Sequence, residues 1–208
     1  FGIGISHDFI PYLFKIDKQK KHEIMFITGI DEKGNILIFD LVKLTHCFVA
    51  GMQGGGKSNL LNVIIQSMMY FNDNVFYILV DFKFGAEMVQ YEKFKNTLII
   101  EKLDDFHKQL SKLEAEMESR YNKLISTGCK KISQYNKKHP SDKMAYIVLV
   151  IDEMSDIRMG LSEKEYKPLE TKLIRLLNMA RACGIIVIGA TQRPSSNQIN
   201  TDIRDRFG

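Results

Sequence analysis

The sequence predicts an α/β fold, a mostly parallel central sheet with helices on both faces, preceded by a short β-hairpin. Two observations predict the sheet. The runs VFYILVD at 75–81, YIVLVIDE at 146–153 and IIVIGATQ at 185–192 are apolar at nearly every position, as in strands buried on both faces. Segments with helical apolar spacing separate these runs, and strands alternating with helices make a layered α/β domain. A third observation, the glycine-rich stretch AGMQGGGKSNLLN at 50–62, places a loop between one strand and one helix.

The elements follow in chain order. EIMFITGIDEKGNILIFDL, from Glu23 to Leu41, reads as two strands about a turn supplied by Asp31, Lys33, Gly34 and Asn35. The short run CFVAG leads into the glycine loop. Beyond it Leu60, Leu61, Ile64, Ile65 and Met68 repeat at helical intervals. A long amphipathic helix spans Leu103 to Ser126 on Phe106, Leu110, Leu113, Met117, Tyr121 and Leu124. The lysine-rich stretch GCKKISQYNKKHPSDK reads as a surface connection. A further helix runs from Leu169 to Cys183 and stops at Gly184. Residues 1–45 are taken as a β-rich lead-in packed on the core. Residues 46–208 are taken as one domain truncated at its C-terminus.

With 208 residues, 45% hydrophobic and 26% charged, the chain has the make-up of one soluble globular domain. No apolar run approaches the roughly 20 residues that cross a bilayer. The start, FGIGISHDFIPYLF, lacks the features of a signal peptide and an initiator Met, so a fragment of a longer protein is expected. A formal charge of +4 is too mild to argue nucleic-acid binding without local clustering. Cys47, Cys129 and Cys183 are scattered, without metal-ligand spacing, and read as reduced structural thiols.

The glycine stretch fits G-x-x-x-x-G-K-[ST] from Gly51 to Ser58, and a strand before it with a helix after it is the context of a phosphate-binding P-loop. The expected phosphate-binding set is Gly51, Met52, Gln53, Gly54, Gly55, Gly56, Lys57, Ser58 and Asn59. Backbone N–H groups wrap the phosphates, and the helix N-terminus adds a favourable dipole. Lys57 is expected on the β- and γ-phosphates, with Ser58 and Asp152 holding Mg²⁺. Glu153, next to Asp152 at the end of YIVLVIDE, is expected to orient and polarise the attacking water. An adjacent Asp-Glu pair argues for ATP hydrolysis on a RecA-like P-loop NTPase (ASCE) core. Gln192, at the end of a further strand, is expected to sense the γ-phosphate.

Other residues keep two readings. Asp81 and Lys83 form a structural ion pair or shape the active site. Arg120 is a helix-surface or a buried, hydrogen-bonded arginine. Lys130, Lys131, Lys137, Lys138 and Lys143 lie in a solvated loop or touch DNA phosphates.

HCFVAGMQGGGKSNLLN, LVDFK, EMESRYNKLISTGCKKISQYN and ARACGIIVIGATQRPSSNQI together resemble the motor domain of the FtsK/SpoIIIE family of DNA translocases. The resemblance runs from about Gly29 to Gly208. It includes His46, the block Glu116 to Tyr121, Gly128, Tyr135–Asn136 and the signature Thr191 to Pro194. It implies a homo-hexameric, ATP-driven pump for double-stranded DNA, attached to the bacterial membrane through segments outside this chain. Conjugative transfer or chromosome and plasmid segregation is the implied setting, with type VII-like protein secretion as the alternative. An arginine from the neighbouring subunit is also implied; Arg204, Arg206 or a residue past the chain end fills that part. Gln53–Gly54–Gly55 departs from the family's commoner Thr-Gly-Ser.

Overall fold

A computed structural model describes residues 22–83, 87–192 and 199–207. The N-terminal reading over residues 1–21, and the signature residues Arg193 and Pro194, lie outside the described residues.

The hairpin consists of β1 (Met25–Ile30) and β2 (Ile36–Asp40), antiparallel. The Asp31 carboxylate folds its turn by accepting the N–H groups of Lys33 and Asn35 at 2.9 and 2.8 Å. A short α1 (Leu41–Leu44) is capped by Asp40 and leads to β3 (Cys47–Ala50), the glycine loop and α2 (Lys57–Phe71). There follow β4 (Val75–Val80), β5 (Thr97–Ile100), α3 (Leu103–Ser126), α4 (Ile132–Lys138) and β6 (Tyr146–Ile151). The chain continues with α5 (Glu163–Met179), β7 (Ile185–Thr191) and α6 (Thr201–Arg204).

The strands β3-β7-β6-β4-β5 form one sheet in that order, with every pairing parallel. Both faces of β6 are buried, which explains its unbroken apolar run. Ile147, Leu149 and Ile151 pack with Phe106, Leu110, Leu113 and Met117 of α3 and with Leu169 and Leu173 of α5. Val148 and Val150 face the other way, into a core with Ile64, Ile65 and Met68 of α2 and with Ile24 and Phe26. The hairpin is pinned along α2. Asn72 accepts the Met25 N–H at 3.0 Å and donates to its carbonyl at 2.8 Å, while Ser67 Oγ accepts the Ile27 N–H at 3.0 Å.

Three features differ from the sequence reading. Strand β5 is a short edge strand whose burial alternates, too brief a pattern to stand out between two loops. Part of the supposed surface connection is helix α4, seated by buried Ile132 and Tyr135. Helix α5 begins at Glu163, not Leu169, and ends at Met179, not Cys183. A capping box between Ser162 and Glu165 starts it, and the helix continues through Pro168 with Tyr166, Leu169, Leu173 and Leu176 buried along it. Among the described residues no helix is long and apolar enough to cross a membrane.

Candidate nucleotide site

The glycine loop joins the end of β3 to the start of α2. Gly51 donates its N–H to the Thr191 carbonyl at 3.2 Å, and Gly55 donates to the Met52 carbonyl at 2.9 Å. Gly54 and Gly56 have φ of 77° and 83°, a region that glycine enters without a Cβ penalty. A Cβ on Gly55 would lie 2.9 Å from the Met52 carbonyl oxygen, so a side chain there would need this turn to shift. Inside that turn nothing lies within 4 Å of the Cβ positions of Gly54 and Gly56. An open loop whose backbone leads into the N-terminus of a 15-residue helix fits a polyphosphate. Met52, Gln53 and Asn59 are exposed on its rim and Ser58 is half-buried in the first helical turn.

Lys57 points inward, 5% exposed. Its Nζ donates to the Asp152 carbonyl at 2.6 Å and to Asp152 Oδ1 at 2.7 Å. Asp152, 3% exposed, directly follows β6, and its own N–H is held by the Val80 carbonyl at 3.0 Å. The sheet thus brings the P-loop lysine and the strand-end carboxylate together across 95 residues.

Glu153 is held by four donors. Its Oε1 accepts the Thr191 hydroxyl at 2.5 Å, the Ser155 hydroxyl at 2.7 Å and, weakly, the Ser155 N–H at 3.4 Å. Its Oε2 accepts the Gln192 N–H at 2.8 Å. Burial works against the charge, but the bonds from Thr191, Gln192 and Ser155 outweigh it and hold Glu153 below the usual carboxylate range. Asp156 moves the other way. Burial, with repulsion from Glu153, Asp152 and Asp81, raises its pKa against the pull of Lys83.

Gln192 meets this site through its backbone, with its side chain half-buried at the strand end. Asp81 makes no ion pair with Lys83 among the described residues; it accepts the N–H groups of Lys83 and Glu87 at 2.9 and 3.0 Å and so shapes the loop after β4. Arg204 pairs with Asp205 at 3.6 Å, and buried Arg206 Nε has no hydrogen-bond partner among the described residues. Sequence reasoning missed Ser155 and Asp156, and gave Thr191 no role beyond opening the signature Thr191 to Pro194. The sole signal for all three was position, at or just past the polar end of a buried strand.

The more specific sequence blocks prove to be scaffold. His46, 1% exposed, donates from Nε2 to the Leu177 carbonyl at 2.9 Å and accepts the Val187 N–H at Nδ1 at 3.0 Å. Burial pulls its pKa down to about 4, with a contribution from nearby Arg181. Arg120 is buried, bonded to Glu116 at 2.7 Å and to the Cys183 carbonyl at 3.0 Å. Asn136 pairs with both backbone groups of Met144 at 2.9 Å, which seats α4 at the N-terminal ends of the strands. Gly184, at φ 81°, lies against Ile132 of the same helix.

Around α4, residues 128–143 hold five lysines and one aspartate, a formal +4 that equals the charge of the whole chain. Lys57, Lys108, Lys123 and Lys167 are in ion pairs. Among the described residues, none of Lys130, Lys131, Lys137, Lys138 and Lys143 is.

The model of the FtsK/SpoIIIE family matches residues 15–196. A DNA translocase FtsK of Caldanaerobacter subterraneus subsp. tengcongensis is 36% identical over 98% of this chain and 30% of its own length. One from Chlorobaculum tepidum is 31% identical over 94% of this chain and 26% of its own. DNA translocase SftA of Bacillus subtilis is 32% identical over 88% and 19%. The chain therefore spans less than a third of each of these relatives. Among solved structures, the pCW3 conjugation coupling protein TcpA, in its monomer form with ATPγS, superposes with a TM-score of 0.78 at 28% identity. That match covers 90% of this chain and 53% of that one. The type VII secretion ATPase EccC of Thermomonospora curvata superposes with a TM-score of 0.74 at 21% identity, covering 92% and 25%, a likeness of fold alone.

Proposed function

Since the chain belongs to the FtsK/SpoIIIE family, we propose that it is the core of an ATP-hydrolysing motor that moves double-stranded DNA. One observation carries the reading. Lys57 meets Asp152 at 2.7 Å at the sheet edge where Glu153 is also fixed, so phosphate-binding and water-orienting groups share one site.

In this mechanism the N–H groups of residues 54–58 and Lys57 Nζ bind the triphosphate. Ser58 and Asp152 would hold Mg²⁺, which would supply positive charge against the phosphates. Glu153 orients and polarises the attacking water, and Gln192 senses the γ-phosphate. Lys57 Nζ keeps a third N–H beyond its two bonds to Asp152, and that donor would reach the phosphate oxygens.

DNA as the partner is supported by the relatives named DNA translocases and by the unpaired lysines about α4. A lysine that is not neutralised by a protein carboxylate gains most from a phosphate backbone, through counterion release. The motor acts as a homo-hexamer, held at the cytoplasmic face of the membrane by segments outside these residues. The likeness to EccC is one of fold and does not favour a protein substrate.

ATP hydrolysis with and without duplex DNA tests the reading, with Glu153→Gln as the control that binds ATP without turnover. Stimulation by duplex DNA that vanishes in the control is the expected result. A hexamer in native mass measurements that ignores DNA would overturn it.

A further inference from the structure

Thr191 touches both halves of the nucleotide site. Its carbonyl accepts the N–H of Gly51, the first residue of the glycine loop, at 3.2 Å, and its hydroxyl donates to Glu153 Oε1 at 2.5 Å. It is wholly buried at the end of β7, the strand that lies between the P-loop strand β3 and the acidic strand β6.

The other donors cannot do the same work. Ser155 sits on the same short turn as Glu153 and moves with it, so its bonds do not refer the carboxylate to the sheet. Thr191 lies 38 residues away on a separate strand. A carboxylate oxygen has two acceptor directions. Thr191 and the Ser155 hydroxyl fill those of Oε1, and the Gln192 N–H takes one on Oε2. Among the described residues, one acceptor direction on Oε2 is left.

We propose that Thr191 is a positioning residue for ATP hydrolysis: its hydroxyl fixes Glu153 so that Oε2 keeps one lone pair for the attacking water. Its carbonyl ties that geometry to the start of the glycine loop. This rests on the ATPase reading above, and concerns a residue that acts through Glu153 without touching the nucleotide.

The test compares Thr191→Val, which keeps the branched shape and removes the donor, with Thr191→Ser, which restores the donor. Two quantities are measured in each: steady-state ATP hydrolysis, and hydrogen exchange at the Gln192 amide, whose acceptor is Glu153. In the valine variant kcat falls on the order of 10- to 100-fold while KM for ATP stays unchanged. Gln192 exchange rises at the same time, and serine reverses both effects. An unchanged kcat in the valine variant, a fall that serine does not recover, or unchanged Gln192 exchange each overturns the proposal. The exchange readout needs no turnover. A wild-type protein that hydrolyses no ATP would overturn the motor reading instead, and the exchange comparison would still decide whether Thr191 holds Glu153.

Discussion

His46 offers the most quantitative prediction. The imidazole lies inside the sheet, donating to the end of α5 and accepting from β7, with its pKa pulled down to about 4. In the unfolded chain the same group titrates near its ordinary 6.5. The folded pKa is the depressed one, so between these values the unfolded state binds the extra proton. The contribution to stability is therefore present above pH 6.5, lost as pH falls toward 4, and constant below. A gap of roughly 2.5 pH units at ~1.4 kcal/mol each gives about 3 kcal/mol in all, of which about 2 kcal/mol disappears between pH 7 and pH 5. Carboxylates titrate in the same window, so the measurement must be a difference. Urea unfolding of wild type and His46→Gln is followed from pH 7 to pH 5. The variant is expected to be less stable at pH 7, with the gap closing by about 2 kcal/mol at pH 5. Parallel curves across that range would refute the buried neutral imidazole.

Other outcomes follow from the same geometry. Lys57→Ala leaves the Asp152 carboxylate buried without its cation. It should cost about 3–5 kcal/mol as well as ATP binding, visible as a lower unfolding temperature. Gly184→Ala puts a Cβ 2.5 Å from Ile132 Cδ1 at a φ of 81°. It should destabilise by more than the ~1–2 kcal/mol of left-handed backbone alone, as read from denaturant midpoints. Replacing Lys130, Lys131, Lys137 and Lys138 by alanine should weaken duplex binding equally across DNA sequences. The salt dependence of log K should become shallower by roughly 0.9 for each phosphate that the variant no longer neutralises; an unchanged salt slope counts against DNA binding on this face.

What could be read from the sequence tracks how local its cause is. Unbroken apolar runs marked β4, β6 and β7 because burial on both faces leaves that pattern in the chain itself. The glycine loop was legible because its motif fixes Gly51, Gly56, Lys57 and Ser58, and positive φ favours glycine at Gly54 and Gly56. The start of α5 was missed for a competing local reason: Pro168 reads as a boundary, but the Ser162–Glu165 box sets the true start upstream. In the QYN and SRY blocks the one local cue was Glu116, four residues before Arg120 and bonded to it. Asn136 and Arg120 serve backbone groups 8 and 63 residues away, partners that exist after folding alone.

The two edges of the sheet divide the work accordingly. Lys57, Asp152, Glu153 and Thr191 stand at or beside the C-terminal strand ends, where parallel strands deliver several polar termini to one place. Arg120, Asn136 and Gly184 hold the opposite edge, where α3 and α4 close under the strands. Among the residues that carry the family resemblance, His46 belongs to neither group. It fastens α5 to β7, and β7 in turn positions Thr191 against both the glycine loop and Glu153. A substitution at His46 that slackens β7 should therefore appear at the nucleotide site as well as in stability. At pH 7, hydrogen exchange at Gly51 and Gln192 in His46→Gln measures that transmission. Rates equal to those of wild type would confine the histidine to a purely thermodynamic role.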